Sequence, residues 1–142
     1  MLETQEGAAT GQVDWNSARR LIESAWDQPE RRTEKGTRDA VESVLDALDR
    51  GVLRCAEPNG DDWLVNEWVK KAVVLYFPMR EMKVEEVGPF QFHDKMALKK
   101  NHAQSEVRVV PHAIARYGAF LGKGVVMMPS YVNIGAYVGS GT

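Results

Sequence analysis

The last third of the chain carries few side chains that could do chemistry. All twenty acidic residues lie at or before Glu106, so residues 107–142 offer no carboxylate that could act as a general base. The cations of this tail are Arg108, Arg116 and Lys123. Arg108 is the best candidate for ligand binding, because a guanidinium holds a carboxylate with two parallel donors and a lysine offers only a point charge. On the residues alone, an arginine that pairs with an acidic side chain at the surface is the simpler interpretation.

The remaining groups with chemical potential are isolated. His112 is the titratable base nearest to the tail's repeats, but a histidine directly after Pro111 is more typical of a turn than of a catalytic base. His93, His102 and His112 lie on dissimilar segments, and their spacing predicts no metal site. Cys55 is the single cysteine, so a disulfide within the chain and a cysteine-rich metal site are both excluded. We expect no permanently bound cofactor.

Composition limits the class of protein. A formal net charge of −2 argues against a general binder of nucleic acids or of membrane surfaces. The longest apolar runs are much shorter than a membrane span, and the N-terminus lacks the features of a secretory signal. We therefore expect a cytoplasmic protein. Residues 1–12 are small and polar, and we expect them to be flexible.

Apolar residues at helical spacing predict three helices before residue 80. The first lies in "VDWNSARRLIESAWD", with Asp14 or Asn16 as its N-cap. The second lies in "TRDAVESVLDALDRG", with Thr37 as N-cap and Gly51 just past its C-terminus. The third runs between Leu64 and Tyr76 and is stopped by Pro78. Short strands are expected at "VLRCAE" and on both sides of the Gly-Pro pair in "MREMKVEEVGPFQFHDKM", so residues 13–107 are predicted to form a helix-rich α+β domain.

A boundary near residue 107 follows from the change in composition and from the strand-like "VRVVP". Beyond it, a bulky apolar residue returns at every sixth position: Ile114, Phe120, Val126, Val132 and Val138. A small residue recurs four positions after each of these: Gly118, Gly124, Ser130, Ala136 and Thr142. Neither a helix nor a simple strand repeats every six residues. The pattern favours a parallel β-helix whose interior is filled by the five bulky residues, over two ordinary strands in a hairpin.

These residues carry a resemblance. The run "RVVPHAIARYGAFLGKGVVMMPSYVNIGAYVGSGT", and above all "MPSYVNIGAYV", resembles the entry into the left-handed β-helix of tetrahydrodipicolinate N-succinyltransferases, which are hexapeptide-repeat transferases. The stretches "LDRGVLRCAE" and "WLVNEWVKKAVVLYF" are similar to that family's N-terminal domain. The resemblance covers most of the chain after about Val13, and family members are trimers of chains roughly twice this length.

The resemblance implies an activity and a set of roles. It implies succinyl transfer from succinyl-CoA to the amino group formed from tetrahydrodipicolinate, in the diaminopimelate route to lysine. Residues 108–142 would be the start of the left-handed β-helix, and Arg108 matches an arginine that contacts the acceptor substrate. The family's catalytic Asp would lie just beyond Thr142, so no catalytic residue is expected in this chain. The CoA-binding coils would also follow Thr142.

The tail from Ile114 to Thr142 is too short for two full coils of three hexapeptides each. We therefore expect a fragment of a longer enzyme that is inactive alone, although a partner chain that completes the coils and a tail that docks onto a partner are alternatives. Two further alternatives to the activity stay open at this point. One is another trimeric hexapeptide-repeat acyltransferase, and the other is a non-catalytic trimerisation module.

Overall fold

A computed structural model describes residues 13–142 of the chain, and the expectation for residues 1–12 lies outside the described residues. The N-terminal part contains three α-helices: α1 (Trp15–Asp27), α2 (Lys35–Asp49) and α3 (Glu67–Tyr76). A 3-10 helix (Pro29–Thr33) joins α1 to α2, and a second one (Phe77–Met79) follows α3. The three predicted helices are confirmed.

The helix ends follow local chemistry, with one correction. The Asp14 carboxylate accepts hydrogen bonds from the backbone N–H groups of Asn16 and Ser17, which confirms the predicted cap of α1. Thr37 is not an N-cap, because α2 already begins at Lys35. Thr37 therefore lies within the helix, and its side chain is buried. Gly51 follows α2 with a φ of +74°, the left-handed conformation predicted for it.

The helices share one apolar core. Each presents its apolar stripe to the other two, and the indole rings of Trp15 and Trp68 lie 6.5 Å apart between α1 and α3. Leu64 does not continue the stripe of α3, since it lies in a strand and is exposed. The buried helical residues include Ile22, Ala25, Val41, Val44, Leu45, Leu48, Val69, Ala72 and Val73.

Two antiparallel hairpins accompany the helices, one between α2 and α3 and the other between α3 and the tail. The first pairs β1 (Ala56–Asn59) with β2 (Asp62–Val65), so the strand expected at "VLRCAE" begins only at Ala56. The second pairs β3 (Lys83–Val87) with β4 (Phe90–Asp94), and the Gly-Pro pair forms its turn as predicted.

The tail consists of six two-residue strands. These are β5 (Arg108–Val109), β6 (Ile114–Ala115), β7 (Phe120–Leu121), β8 (Val126–Met127), β9 (Tyr131–Val132) and β10 (Tyr137–Val138). They associate as three parallel pairs, β5 with β8, β6 with β9 and β7 with β10. Each strand therefore pairs with the third strand after or before it along the chain. The pairs enclose a small apolar core of Val107, Ala115, Leu121, Val125 and Met127, with Val109, Ala113, Val132 and Val138 packed against it.

The predicted interior residues are right at two positions and wrong at three. Val132 and Val138 pack against the tail's core, as expected. Ile114, Phe120 and Val126 do not belong to it, and the residue after each of them is buried instead. The contrast is clearest in β8, where Val126 is 45% exposed and Met127 is 4% exposed.

The register explains this error. Arg108 lies opposite Val126, as a coil of three hexapeptides predicts, but Ile114 lies opposite Tyr131 rather than Val132. The connection between β8 and β9 is therefore one residue shorter than a strict repeat of six requires. A frame of sixes written from Ile114 is out of phase with the core until it has passed this connection.

Candidate functional site

Arg108 is held by backbone pairing at the start of the tail. Its N–H donates to the carbonyl of Val125 over 2.9 Å, and its side chain is exposed. Within residues 13–142 its guanidinium forms no ion pair, so the interpretation as an arginine paired with an acidic residue does not describe this structure. Glu106, two positions earlier, pairs instead with Lys123 at 2.7 Å. Among the described residues, the guanidinium donors of Arg108 have no ion-pair partner and are open to an anionic ligand.

The surroundings of Arg108 are apolar. Its partner across the β5–β8 pair is Val126, which is 45% exposed, and Met128 just beyond is 63% exposed. An unpaired cation beside an exposed apolar strip can hold a ligand that has a carboxylate at one end and a hydrocarbon body.

Arg116, the other arginine of the tail, is engaged through both terminal nitrogens, whereas its buried Nε has no hydrogen-bond partner within the described residues. Its Nη2 lies 2.7 Å from the Asp94 carboxylate, and its Nη1 donates to the Asn133 side chain over 3.3 Å. The guanidinium lies between the rings of Phe77 and Tyr131, 5.8 Å and 5.7 Å from their centroids. Arg116 thus ties the β3–β4 hairpin to the tail and is a structural residue.

The charge state of Asp94 agrees with this role. Partial burial acts to raise the pKa of the Asp94 carboxyl, but the backbone N–H of Lys95 and the Arg116 guanidinium outweigh it and lower the pKa. The carboxylate therefore stays ionised and the ion pair persists at neutral pH.

A second joint connects α2 to the tail, and sequence reasoning missed it. The Asp49 carboxylate accepts from Lys99 Nζ over 2.7 Å and from the backbone N–H of Gly118 over 2.9 Å. The Lys99 side chain is only 9% exposed. No spacing signal in the sequence links Lys99 to an aspartate fifty positions earlier.

The histidines are dispersed. His112 lies exposed in the turn that follows β5, and His93 lies exposed in β4. In the described part of the chain, no group of three or more His, Cys, Asp or Glu side chains is placed to hold a metal ion. No helix within the same residues is long and apolar enough to cross a membrane.

Comparison with known proteins gives a consistent result. Residues 17–79 match the family model described as the tetrahydrodipicolinate N-succinyltransferase N-terminal domain. Three relatives all bear the name 2,3,4,5-tetrahydropyridine-2,6-dicarboxylate N-succinyltransferase. The one from Paracoccus denitrificans is 49% identical over 126 residues, covering 81% of this chain and 46% of the relative. The one from Cereibacter sphaeroides is 42% identical over 141 residues, covering 92% and 52%, and the one from Pseudoalteromonas translucida is 44% identical over 126 residues, covering 82% and 46%.

The chain spans about half the length of the curated relatives it matches. The matched half is the N-terminal one, so the resemblance predicted from the sequence is confirmed.

Proposed function

We infer that this chain is the N-terminal part of a tetrahydrodipicolinate N-succinyltransferase, an acyltransferase of diaminopimelate and lysine biosynthesis. The observation that carries the inference is the identity of 42–49% to enzymes of that name over more than four-fifths of the chain. The substrates would be succinyl-CoA and the cyclic dicarboxylate in the relatives' name, and the working enzyme would be a cytoplasmic homotrimer.

The tail would be the first coils of a left-handed parallel β-helix, beginning at residue 108 after an α+β domain of residues 13–107. Three parallel strand pairs around one apolar core support the coil arrangement. The left-handed sense rests on the family resemblance alone. Because stacked coils must be covered at each end, further coils would continue this stack in the complete enzyme.

The reaction needs a base, oxyanion donors and a held acceptor. The acceptor's amine nitrogen attacks the succinyl thioester carbon, a C–N bond forms, the C–S bond breaks and the CoA thiol leaves, while a base takes the amine proton. No carboxylate follows Glu106 in this chain, so the base and the CoA site would come from the part of the enzyme that these residues do not include. Arg108 would hold one carboxylate of the acceptor and so align the amine.

A fusion protein tests this proposal. Residues 1–142 would be joined to the C-terminal part of the Paracoccus denitrificans relative, beginning where the matched region ends. We expect succinyl-CoA-dependent thiol release with tetrahydrodipicolinate from the fusion, and none from the 142-residue polypeptide alone. A correctly folded fusion that does not release thiol would contradict the proposed function. Full turnover by the 142-residue polypeptide would contradict the proposal that the base and the CoA site lie outside these residues.

The role of Arg108 is tested in the same fusion. Arg108→Lys keeps the charge but loses the two parallel donors, so we expect the KM for the acceptor to rise at least about tenfold while the KM for succinyl-CoA stays nearly unchanged. Arg19→Lys is the matched control, because Arg19 is exposed on α1 and pairs with Glu23 one turn later. Equal losses for both substrates would show that Arg108 does not hold the acceptor.

A further inference from the structure

A cavity that the proposed reaction does not use lies on the side of the tail formed by β7. Its volume is about 350 Å³, and its walls come from the end of α2, from residues 99–105 and from β7. The side chains that matter for its chemistry are those of Asp49, Arg50, Lys99, Lys100, Ser105 and Phe120.

The charge of this cavity is positive. Arg50, Lys99 and Lys100 line it, and Asp49 is its single carboxylate. Asp49 is already occupied by Lys99 Nζ at 2.7 Å and by the Gly118 N–H at 2.9 Å. Arg50 pairs with Asp46, but both side chains are more than half exposed, so this pair is weak and can be rearranged. Among the cations of the lining, Lys100 therefore forms no ion pair within residues 13–142, and Arg50 adds a positive charge that it shares with Asp46.

Lys99 also has an unused donor. An ammonium group carries three N–H donors, and those of Lys99 reach the Asp49 carboxylate and the Asp49 carbonyl, at 2.7 Å and 3.0 Å. Within residues 13–142 its third donor has no acceptor, although the side chain is 9% exposed and lines the cavity. A buried donor of this kind favours an acceptor inside the cavity.

The wall opposite α2 is preorganised. The Lys99 N–H donates to the Ala115 carbonyl over 2.8 Å, and the Ser105 N–H donates to the Asn101 carbonyl over 3.1 Å. These bonds fix the connector that carries Lys99, Lys100 and the Ser105 hydroxyl. A ligand that binds here would not have to order this segment first, which lowers the entropic cost of binding.

We propose that this cavity binds a phosphate group. A phosphate dianion has several strong acceptor oxygens and can take donors from Lys99, Lys100 and Arg50 at once, whereas a carboxylate has half the charge and two oxygens. The Ser105 hydroxyl supplies a further donor. The inference is independent of the proposed acyl transfer, because it uses none of the residues assigned to it.

Inorganic phosphate is the probe that tests the site. The 142-residue chain would be titrated at pH 7.5 with sodium phosphate, and in parallel with sodium chloride at equal ionic strength, while the amide resonances of Asn101 and Ser105 are followed by NMR. We expect saturable shifts with phosphate alone, at a Kd of about 1 mM. Lys100→Gln should weaken binding about fivefold to tenfold, because it removes one charge-assisted donor.

Two controls make the outcome decisive. Lys35→Gln removes another exposed lysine, at the start of α2 and far along the chain from the cavity, and should leave the Kd unchanged. AMP in place of phosphate distinguishes the source, since tighter binding of AMP indicates a phosphate ester and equal or weaker binding indicates free phosphate. Identical shifts with chloride, or equal effects of Lys100→Gln and Lys35→Gln, would overturn the proposal.

Discussion

Replacing Gly51 by alanine tests how closely the end of α2 approaches the tail. A Cβ at this position would lie 2.7 Å from the Phe120 ring, well inside van der Waals contact. On one side the ring is confined, because Tyr137 lies at 4.6 Å between centroids and the Arg54 guanidinium covers the Tyr137 ring at 3.6 Å. Gly51 also has a φ of +74°, which strains any residue with a side chain.

The loss in the free energy of unfolding that Gly51→Ala causes can be estimated by comparison with Gly60→Ala. The left-handed conformation costs alanine about 1–2 kcal/mol, the overlap with a packed ring adds about 1–3 kcal/mol, and the stiffer unfolded chain returns about 0.4–1 kcal/mol. Gly51→Ala should therefore lower the free energy of unfolding by about 3 kcal/mol. Gly60 has a φ of +63° but open space around its Cα, so Gly60→Ala carries only the strain and should cost about 1 kcal/mol.

Equilibrium unfolding in urea measures both variants. If the overlap is the cause, adding Phe120→Leu to Gly51→Ala should recover part of the loss, and adding it to Gly60→Ala should not. Equal destabilisation by the two single substitutions would refute the close approach of Gly51 and Phe120.

Two further predictions concern the tail's core and a buried phenol. Leu121→Ala should lower the free energy of unfolding in urea by about 3 kcal/mol, because Leu121 is 3% exposed in the tail's core. Val126→Ala should lower it by less than about 1 kcal/mol. The reverse order would show that Val126 is an interior residue, as the strict repeat of six predicts. Burial, with the Asp46 and Asp49 carboxylates, raises the pKa of Tyr117 from 10.0 to about 12. Between these values the folded chain keeps a proton that the unfolded chain loses, so stability should fall as the pH rises through this window, and a Tyr117→Phe variant that shows the same fall would contradict this assignment.

The sequence was most informative where contacts are local. The apolar stripes of α1, α2 and α3 and the cap at Asp14 depend on residues within one or two turns, and all were predicted. Thr37 was misplaced because a threonine that suits a cap also suits a buried helical position, and the preceding 3-10 helix lets α2 begin earlier. Such a choice depends on packing, which a local pattern does not contain.

The tail shows a different limit. The sequence shows that the pattern repeats every six residues, but it does not show which residue of each repeat is buried. One shortened connection after Met127 is enough to change which residue is buried. The residues in the preceding position, Ile114, Phe120 and Val126, are also bulky and apolar, so side-chain type could not reveal the shift.

Arg108 is exposed, and its role in binding the acceptor substrate stays a prediction. The joint of Asp49, Lys99 and Gly118 had no signature, because its members are distant in sequence and their meeting requires the complete fold.

One packing detail bears on the order of folding. Ile134 belongs to the core of the helices rather than to the tail's own core, and the Gly118 backbone lies against Leu45 of α2. The helices need only nearby contacts and leave the ribosome first, whereas each strand of the tail must find a partner three strands away. We therefore expect the assembled helices to act as a template that sets the register of the growing coil. Synthesis from the N-terminus would then make it less frequent that a short strand pairs with the wrong neighbour.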